Sequence, residues 1–311
     1  MKRRDFVRTA AAGALGLGSA ARASGARAAG PAPAQDIRWG YAAITWGGND
    51  RQAIEDVAAL GFPGIQLRSN LLPEFGDKPA ALKELLQAHK LTMVALSSGG
   101  VSVTAPAEDE VAKHARNAAF VRDVGGLYLQ VTDQLPKGRP ATAADRQALG
   151  KVMSQIGKRS ADLGIPLGYH NHMNSLGERP GEVDEILAAA DPRYVRFELD
   201  VAHYTQGGGD PVKAIERYHD RLLFLHLKDV ESVPPAAGGD PARSYRFVEL
   251  GRGRVDLPGV FAALKKARFK GWAVVELDAV PDKARTPKES GQISKSYLES
   301  HGFRIEQGGR A

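Results

Sequence analysis

The 311-residue chain has no cysteine. That excludes disulfides, thiolate metal ligands, a cysteine nucleophile and lipid attachment at a cleavage-site cysteine. It has no Gly-x-Gly-x-x-Gly fingerprint and no phosphate-cradling glycine loop, which excludes the usual dinucleotide signature and weighs against a phosphorylated substrate. It has no apolar run long enough for a bilayer; the best stretch, TAAAGALGLGSAA at 9–21, is too short for a stable anchor. No internal repeat and no linker breaks the remainder, so one domain is expected.

What is present starts with KRRDFVR at 2–8, followed by the short apolar stretch and by small-x-small sites at 26–28 and 32–34. This resembles a twin-arginine export signal. The expected division is a cleaved signal at 1–35 and a folded domain at 36–311. The expected location is periplasmic or secreted, reached through the Tat export machinery. The signal also distorts the charge. The whole chain is +6, but residues 1–35 hold six basic residues (Lys2, Arg3, Arg4, Arg8, Arg22 and Arg27) against Asp5 alone, which leaves about +1 for the rest. A near-neutral domain gives no support for nucleic-acid or anionic-membrane binding.

From residue 37 onward, short β-like runs alternate with amphipathic helical ones. The strand expectations are 37–46, 64–69, 91–98, 127–132, 165–172, 195–203, 222–229 and 272–279. Between them lie helical segments at 51–61, 80–90, 109–125, 143–164, 181–190, 211–219 and 257–269, with Gly61, Gly125 and Gly164 where helices should end. Strict alternation indicates a parallel sheet. Eight such strands in about 240 residues fit a (β/α)8 TIM barrel, with an open doubly wound sheet as the alternative.

Buried parallel strands should be apolar throughout. Four late ones break that rule near their C-terminal ends. Strand five ends in GYHNH, with His170 and His172 two apart. Strand six carries Glu198 and Asp200, strand seven His226 and Lys228, and strand eight Glu276 and Asp278. Each pair shares one face by strand parity. Their intervening residues, Asn171, Leu199, Leu227 and Leu277, point the other way. Burying such charges costs many kcal/mol unless something compensates them. A divalent cation would. A mixed set of two histidines, an aspartate and a glutamate suits Mn, Co, Fe or Zn better than Ca or Mg. His89, His114, His219 and His301 lie on helical or tail segments and read as surface residues.

At these residues the chain resembles the sugar isomerase/epimerase-like TIM barrels, the superfamily of xylose isomerase, tagatose/psicose 3-epimerase and endonuclease IV. Within it the likeness is nearest to inosose dehydratase-like members. The resemblance is carried by WGYAAITWGGND at strand one, YHNHM at strand five, LDVAHYTQGGGDP at strand six, HLKDV at strand seven, GRGRVDLPGVFAAL, and GWAVVELD with the tail that follows. It implies one divalent metal ion held by strands five to eight. The matching ligand positions are Asp200, His226 and Glu276. At strand five the epimerase glutamate is replaced by His170, with His172 as the alternative ligand; whichever is not bound contacts substrate. His203 matches a substrate-binding histidine.

The base is expected among His172, Lys228 and Glu198, although Lys228 and Glu198 also fit structural ion pairs. Trp46 is expected to wall a sugar ring. Arg68 and Gln130 face the site by parity. The implied reaction is on a cyclic polyol ketone or keto-sugar, through a metal-bound enediolate. The missing strand-five glutamate favours a dehydratase or lyase outcome over a sugar epimerase or isomerase one. A non-catalytic sugar-binding barrel and an endonuclease-like enzyme are the competing classes. The resemblance also allows a homodimer.

Overall fold

Outward side chains such as Ile65, Leu67, Leu129, Leu167, Phe197 and Leu225 are fully buried under the helices, while alternate residues turn toward a common axis. The computed structural model describes residues 37–307. Its elements are β1 (Ile37–Ala42), α1 (Asp50–Ala59), β2 (Gly64–Arg68), α2 (Leu72–Phe75), α3 (Pro79–Ala88), β3 (Thr92–Val101), α4 (Ala107–Val124), β4 (Tyr128–Asp133), α5 (Ala143–Ala161), β5 (Leu167–His170), α6 (Pro180–Ala189), β6 (Val195–Asp200), α7 (Val201–Gln206), α8 (Pro211–Tyr218), β7 (Leu222–Leu227), β8 (Asp229–Ser232), β9 (Tyr245–Val248), α9 (Leu257–Lys266), β10 (Gly271–Val275) and α10 (Pro287–Ser300). Strands β1 to β7 and β10 form a closed barrel in the order β1-β10-β7-β6-β5-β4-β3-β2, and every pairing in it is parallel. Closure of β1 on β10 rules out the open-sheet alternative. The fold is a TIM barrel. The export signal expected at 1–35 lies outside the described residues. Among those residues no helix is long and apolar enough to cross a membrane.

Local chemistry sets the element ends. The Thr142 and Thr286 hydroxyls open α5 and α10 in capping boxes with Asp145 and Glu289. Gly61, Gly125 and Gly164 all adopt positive φ after helices, as their positions suggested.

Several strands stop sooner than expected, and these corrections matter for the site. The segment 43–46 is a 3-10 turn rather than the end of β1. Strand β5 ends at His170, so His172 sits in the following loop. Strand β6 ends at Asp200, whose Oδ1 accepts the N–H groups of Ala202 and His203 at 2.8 Å each and so starts α7. Strand β10 ends at Val275, leaving Glu276 and Asp278 on the segment beyond it. The antiparallel β8–β9 hairpin, inserted after β7, was not anticipated.

Below the charged end, the barrel axis is filled by Val94, Ala95, Phe224, Trp272 and Val274. The Trp272 ring reaches across to Gly64 because that position has no side chain. A Cβ there would lie 2.3 Å from the ring and 2.6 Å from Val94. Gly64→Ala should therefore lower stability by about 1–3 kcal/mol through overpacking. Gly181→Ala, where an added methyl meets nothing within 4 Å, should be neutral or slightly stabilising. Urea unfolding of the two variants beside the parent tests both.

Candidate metal centre and active site

At the C-terminal end of the barrel, Asp200, His226, His170 and Glu276 converge from β6, β7, β5 and the segment after β10. His226 Nδ1 lies 3.2 Å from Glu276 Oε2 and 3.7 Å from Asp200 Oδ2. Its Nε2 lies 2.7 Å from both Gln66 Oε1 and Glu198 Oε1. Ligand atoms of His170, Asp200, His203 and Glu276 all fall within 4.8 Å of one another. These side chains are buried.

Which of them are free to hold a metal follows from their other contacts. His203 is occupied on both nitrogens: Nδ1 accepts the Met173 N–H at 3.2 Å, and Nε2 lies 3.1 Å from Lys228 Nζ. By contrast, His226 Nδ1 and Asp200 Oδ2 are buried and have no hydrogen-bond partner. His170 turns Nδ1 toward Glu198, 3.5 Å away, and its ring lines the cavity. Orphaned donor atoms of one imidazole and one carboxylate, facing each other beside Glu276, fit a divalent cation. Electrostatics agree. Burial opposes charge on His226, yet Glu198 and Glu276 outweigh it and raise its pKa well above the ordinary value. Burial likewise works against Glu276 and Asp200, but His226 and Lys228 for the first, and Lys228 with His226 for the second, hold both carboxyls below their usual range. The cluster demands positive charge at the point its free atoms face.

Beside the cluster opens a cavity of about 280 Å³, lined by Gln66, Arg68, Ser97, Gln130, Thr132, His170, His172, Glu276 and Asp278, with Ala42, Ile44, Gly99 and Gly100. The three expected bases are placed differently around it. His172 lines it; its Nδ1 is 2.6 Å from the Met173 carbonyl, and its ring lies against that of His203, with centroids 3.9 Å apart. A carbonyl accepts only from an N–H, so Nε2 keeps its lone pair. Burial, with His170 and Lys228 nearby, holds the pKa of His172 below the ordinary value.

Lys228 is fully buried, with Nζ 3.0 Å from Glu276 Oε1 and 2.5 Å from Asp278 Oδ1, and 4.0 Å from the centre of the Phe247 ring. Burial opposes its charge, but Glu276, Asp278 and Asp200 overcome it and raise the pKa. This ammonium sits between the Glu276 and Asp278 carboxylates, the ion-pair placement that the sequence also allowed. Glu198 is also fully buried, beneath His170 and His226, and does not line the cavity.

Other placements also differ. Trp46 donates its indole N–H to Asp56 at 2.8 Å and lines a separate hollow with Asn49 and Thr286, so it does not wall this cavity. The 3-10 turn carries it away from the strand direction. His114, expected at the surface, is buried; Ser98 Oγ lies 2.6 Å from its Nδ1, Glu110 lies 3.3 Å from its Nε2, and burial with Lys113 nearby holds its pKa down to about 4. Arg68 is exposed on the cavity rim. Gln66 went unnoticed, though a lone amide at an inward position of β2 was a signal. Asn171 grips the backbone of Asp200, donating to its carbonyl at 3.2 Å and accepting its N–H at 3.0 Å. No strand-parity argument reaches such a bond.

Residues 54–297 match the family described as xylose isomerase-like TIM barrel. The chain belongs to this family. Among curated relatives, inosose dehydratase of Lacticaseibacillus casei is 25% identical over 293 residues, covering 85% of this chain and 97% of that protein. Two solved structures share the fold. The IolI protein with a bound zinc atom superposes with a TM-score of 0.70 at 18% identity, covering 85% of this chain and 97% of its own. A probable 3-DHS dehydratase, AsbF, from Bacillus anthracis gives 0.67 at 18% identity, covering 85% and 99%.

The loop that carries His172 is anchored by a buried carboxylate. Asp133 accepts the Leu176 N–H at 2.5 Å on Oδ1 and the Tyr169 hydroxyl at 3.0 Å on Oδ2. Burial pushes its carboxyl up to about 6, against the pull of Leu176, Tyr169, Ser175 and Gly177. Its folded value therefore exceeds the unfolded value of about 3.9. The stabilisation it contributes is complete below about pH 4 and is lost as pH rises through about 6. Asp133→Asn lacks this component. Its stability relative to the parent should rise between about pH 4 and about pH 6 and then level off, read by urea unfolding across that range.

Proposed function

We propose that this chain is a divalent-metal-dependent enzyme of the lyase or isomerase type that dehydrates a cyclic polyol ketone or keto-sugar. The observation that carries this reading is the placement of His172. Among the described residues, it is the one base lining the cavity that is neither part of the metal set nor tied up in an ion pair: His170 and Glu276 belong to the set, and Asp278 is held by Lys228. A single base on one side favours elimination over an epimerisation that needs a base on each face. The inosose dehydratase relatives support the same choice.

His170, Asp200, His226 and Glu276 would hold the metal. When bound, it supplies Lewis acidity that polarises a ketone and acidifies the adjacent C–H. His172 Nε2 takes that proton, and the β-hydroxyl leaves as water when a proton returns to it. Gln66, Gln130, Ser97 and Thr132 provide the amide and hydroxyl contacts that orient a polyol. Lys228 fixes Glu276, and Met173 fixes the His172 tautomer. The twin arginine at 3–4 supports export of the folded enzyme to the periplasm or beyond.

The test is metal analysis and turnover of the purified protein, with an inosose and a 3-keto-glycoside as substrates. The parent should carry about one Mn, Co, Fe or Zn ion and form an absorbing enone. His226→Ala should lose both metal and turnover. His172→Asn should keep the metal and lose about 10²–10⁴-fold in kcat. Deuterium uptake from D2O with no enone would replace dehydration by epimerisation. Absence of metal from the parent, even after reloading, would overturn the reading.

A further inference from the structure

We propose that Glu198 is a positioning residue that sets the ring orientation of two metal-ligand histidines at once. The inference rests on the metal reading above but concerns a residue that cannot touch substrate. Glu198 is fully buried on the inward face of β6, two residues before Asp200, and its Cα is paired with that of His170 on β5. Its Oε1 lies 2.7 Å from His226 Nε2 and 3.5 Å from His170 Nδ1. A single oxygen therefore addresses imidazoles on the strands either side of its own.

The neighbouring acceptor makes the arrangement unambiguous at His226. Gln66 Oε1 also lies 2.7 Å from Nε2. Two oxygens facing one ring nitrogen require a proton on it. When the ring is neutral, as a ligand must be, its lone pair is then on Nδ1, the atom that faces Asp200 and Glu276. Glu198 differs from Gln66 in carrying charge. The Nε2 hydrogen bond goes to Gln66, so Glu198 acts through its charge: a carboxylate 2.7 Å behind a ligating imidazole makes the ring a better donor to the metal.

The surroundings show where that charge is directed. The Phe224 ring and Gly168 lie at the level of Glu198, and the barrel axis around them is apolar, with Val274 and Trp272. A carboxylate placed there without a partner would be strongly disfavoured. Among the described residues, the cationic or protonatable groups within 4 Å are the two histidines. Glu198 is thus the electrostatic floor of the centre, and its removal acts on β5 and β7 together.

Glu198→Gln keeps the shape and removes the charge. The test titrates Co(II) into metal-stripped parent and variant and follows visible absorption. The variant should bind Co(II) about 10–100-fold more weakly, with its metal-free unfolding transition preserved. Glu198→Asp should recover part of the affinity. Equal affinity of parent and Glu198→Gln would overturn the proposal and leave the proposed function intact. A second measurement needs no variant: long-range 1H–15N spectra of histidine-labelled parent, metal-free and Zn-loaded. A protonated Nε2 on His226 is expected in both states. An unprotonated Nε2 in either state would overturn the proposal. If the parent binds no Co(II) at all, the metal reading fails, and the metal-free spectrum still decides the orientation of His226.

Discussion

Three carboxylates, Glu198, Asp200 and Glu276, are withdrawn from water at one end of the barrel, and the groups around them are arranged to hold that charge. Lys228 supplies one cation, locked between Glu276 and Asp278. His226 offers one nitrogen to Glu198 and the other to Glu276 and Asp200. These charge contacts still leave buried atoms at the centre without hydrogen bonds, among them His226 Nδ1, Asp200 Oδ2, His170 Nδ1 and the Glu198 oxygens. Buried ionic groups are stable only when each has a partner, so the geometry of this end is dictated by what completes the set.

The barrel separates two tasks by strand parity. Outward residues are apolar and build the contact with the helices; inward residues are small or aromatic low on the axis and polar above it. Trp272 crossing over Gly64 closes the lower part tightly. The polar end can then tolerate high charge because cohesion does not depend on it. Loops carry what the strands cannot. His172 stands beyond β5, on a segment clamped by Asp133.

The barrel and the convergence of four strand ends were legible in the sequence because buried parallel strands are apolar, so charge at inward positions stands out. Parity reasoning held for Asp200 and His226, which lie on ladder positions opposite each other. It lost force one residue past a strand end. Lys228 and Glu276 stand one residue past their strands and His172 two past, and which of them touches the cavity depends on how the chain turns. Trp46 was misplaced for the same reason, since the chain coils into a 3-10 turn directly after β1. The β8–β9 hairpin escaped because its connecting segment, 233–244, is rich in Pro, Gly and Ala and has no strand pattern. His114 was readable in principle. It lies on the same helical stripe as Asn117, Ala118 and Val121, all of them buried against the barrel.

Asp200 ends a strand, begins a helix with one oxygen and faces the cluster with the other. Few substitutions can satisfy all three demands. Asparagine would still cap but brings no charge, and glutamate would carry the charge but reach past the cap. The position is therefore protected twice over, once by the folding of α7 and once by chemistry. A lineage that abandoned the reaction would still be expected to retain this aspartate for as long as it retained the helix. Its persistence in a sequence would record architecture as faithfully as activity.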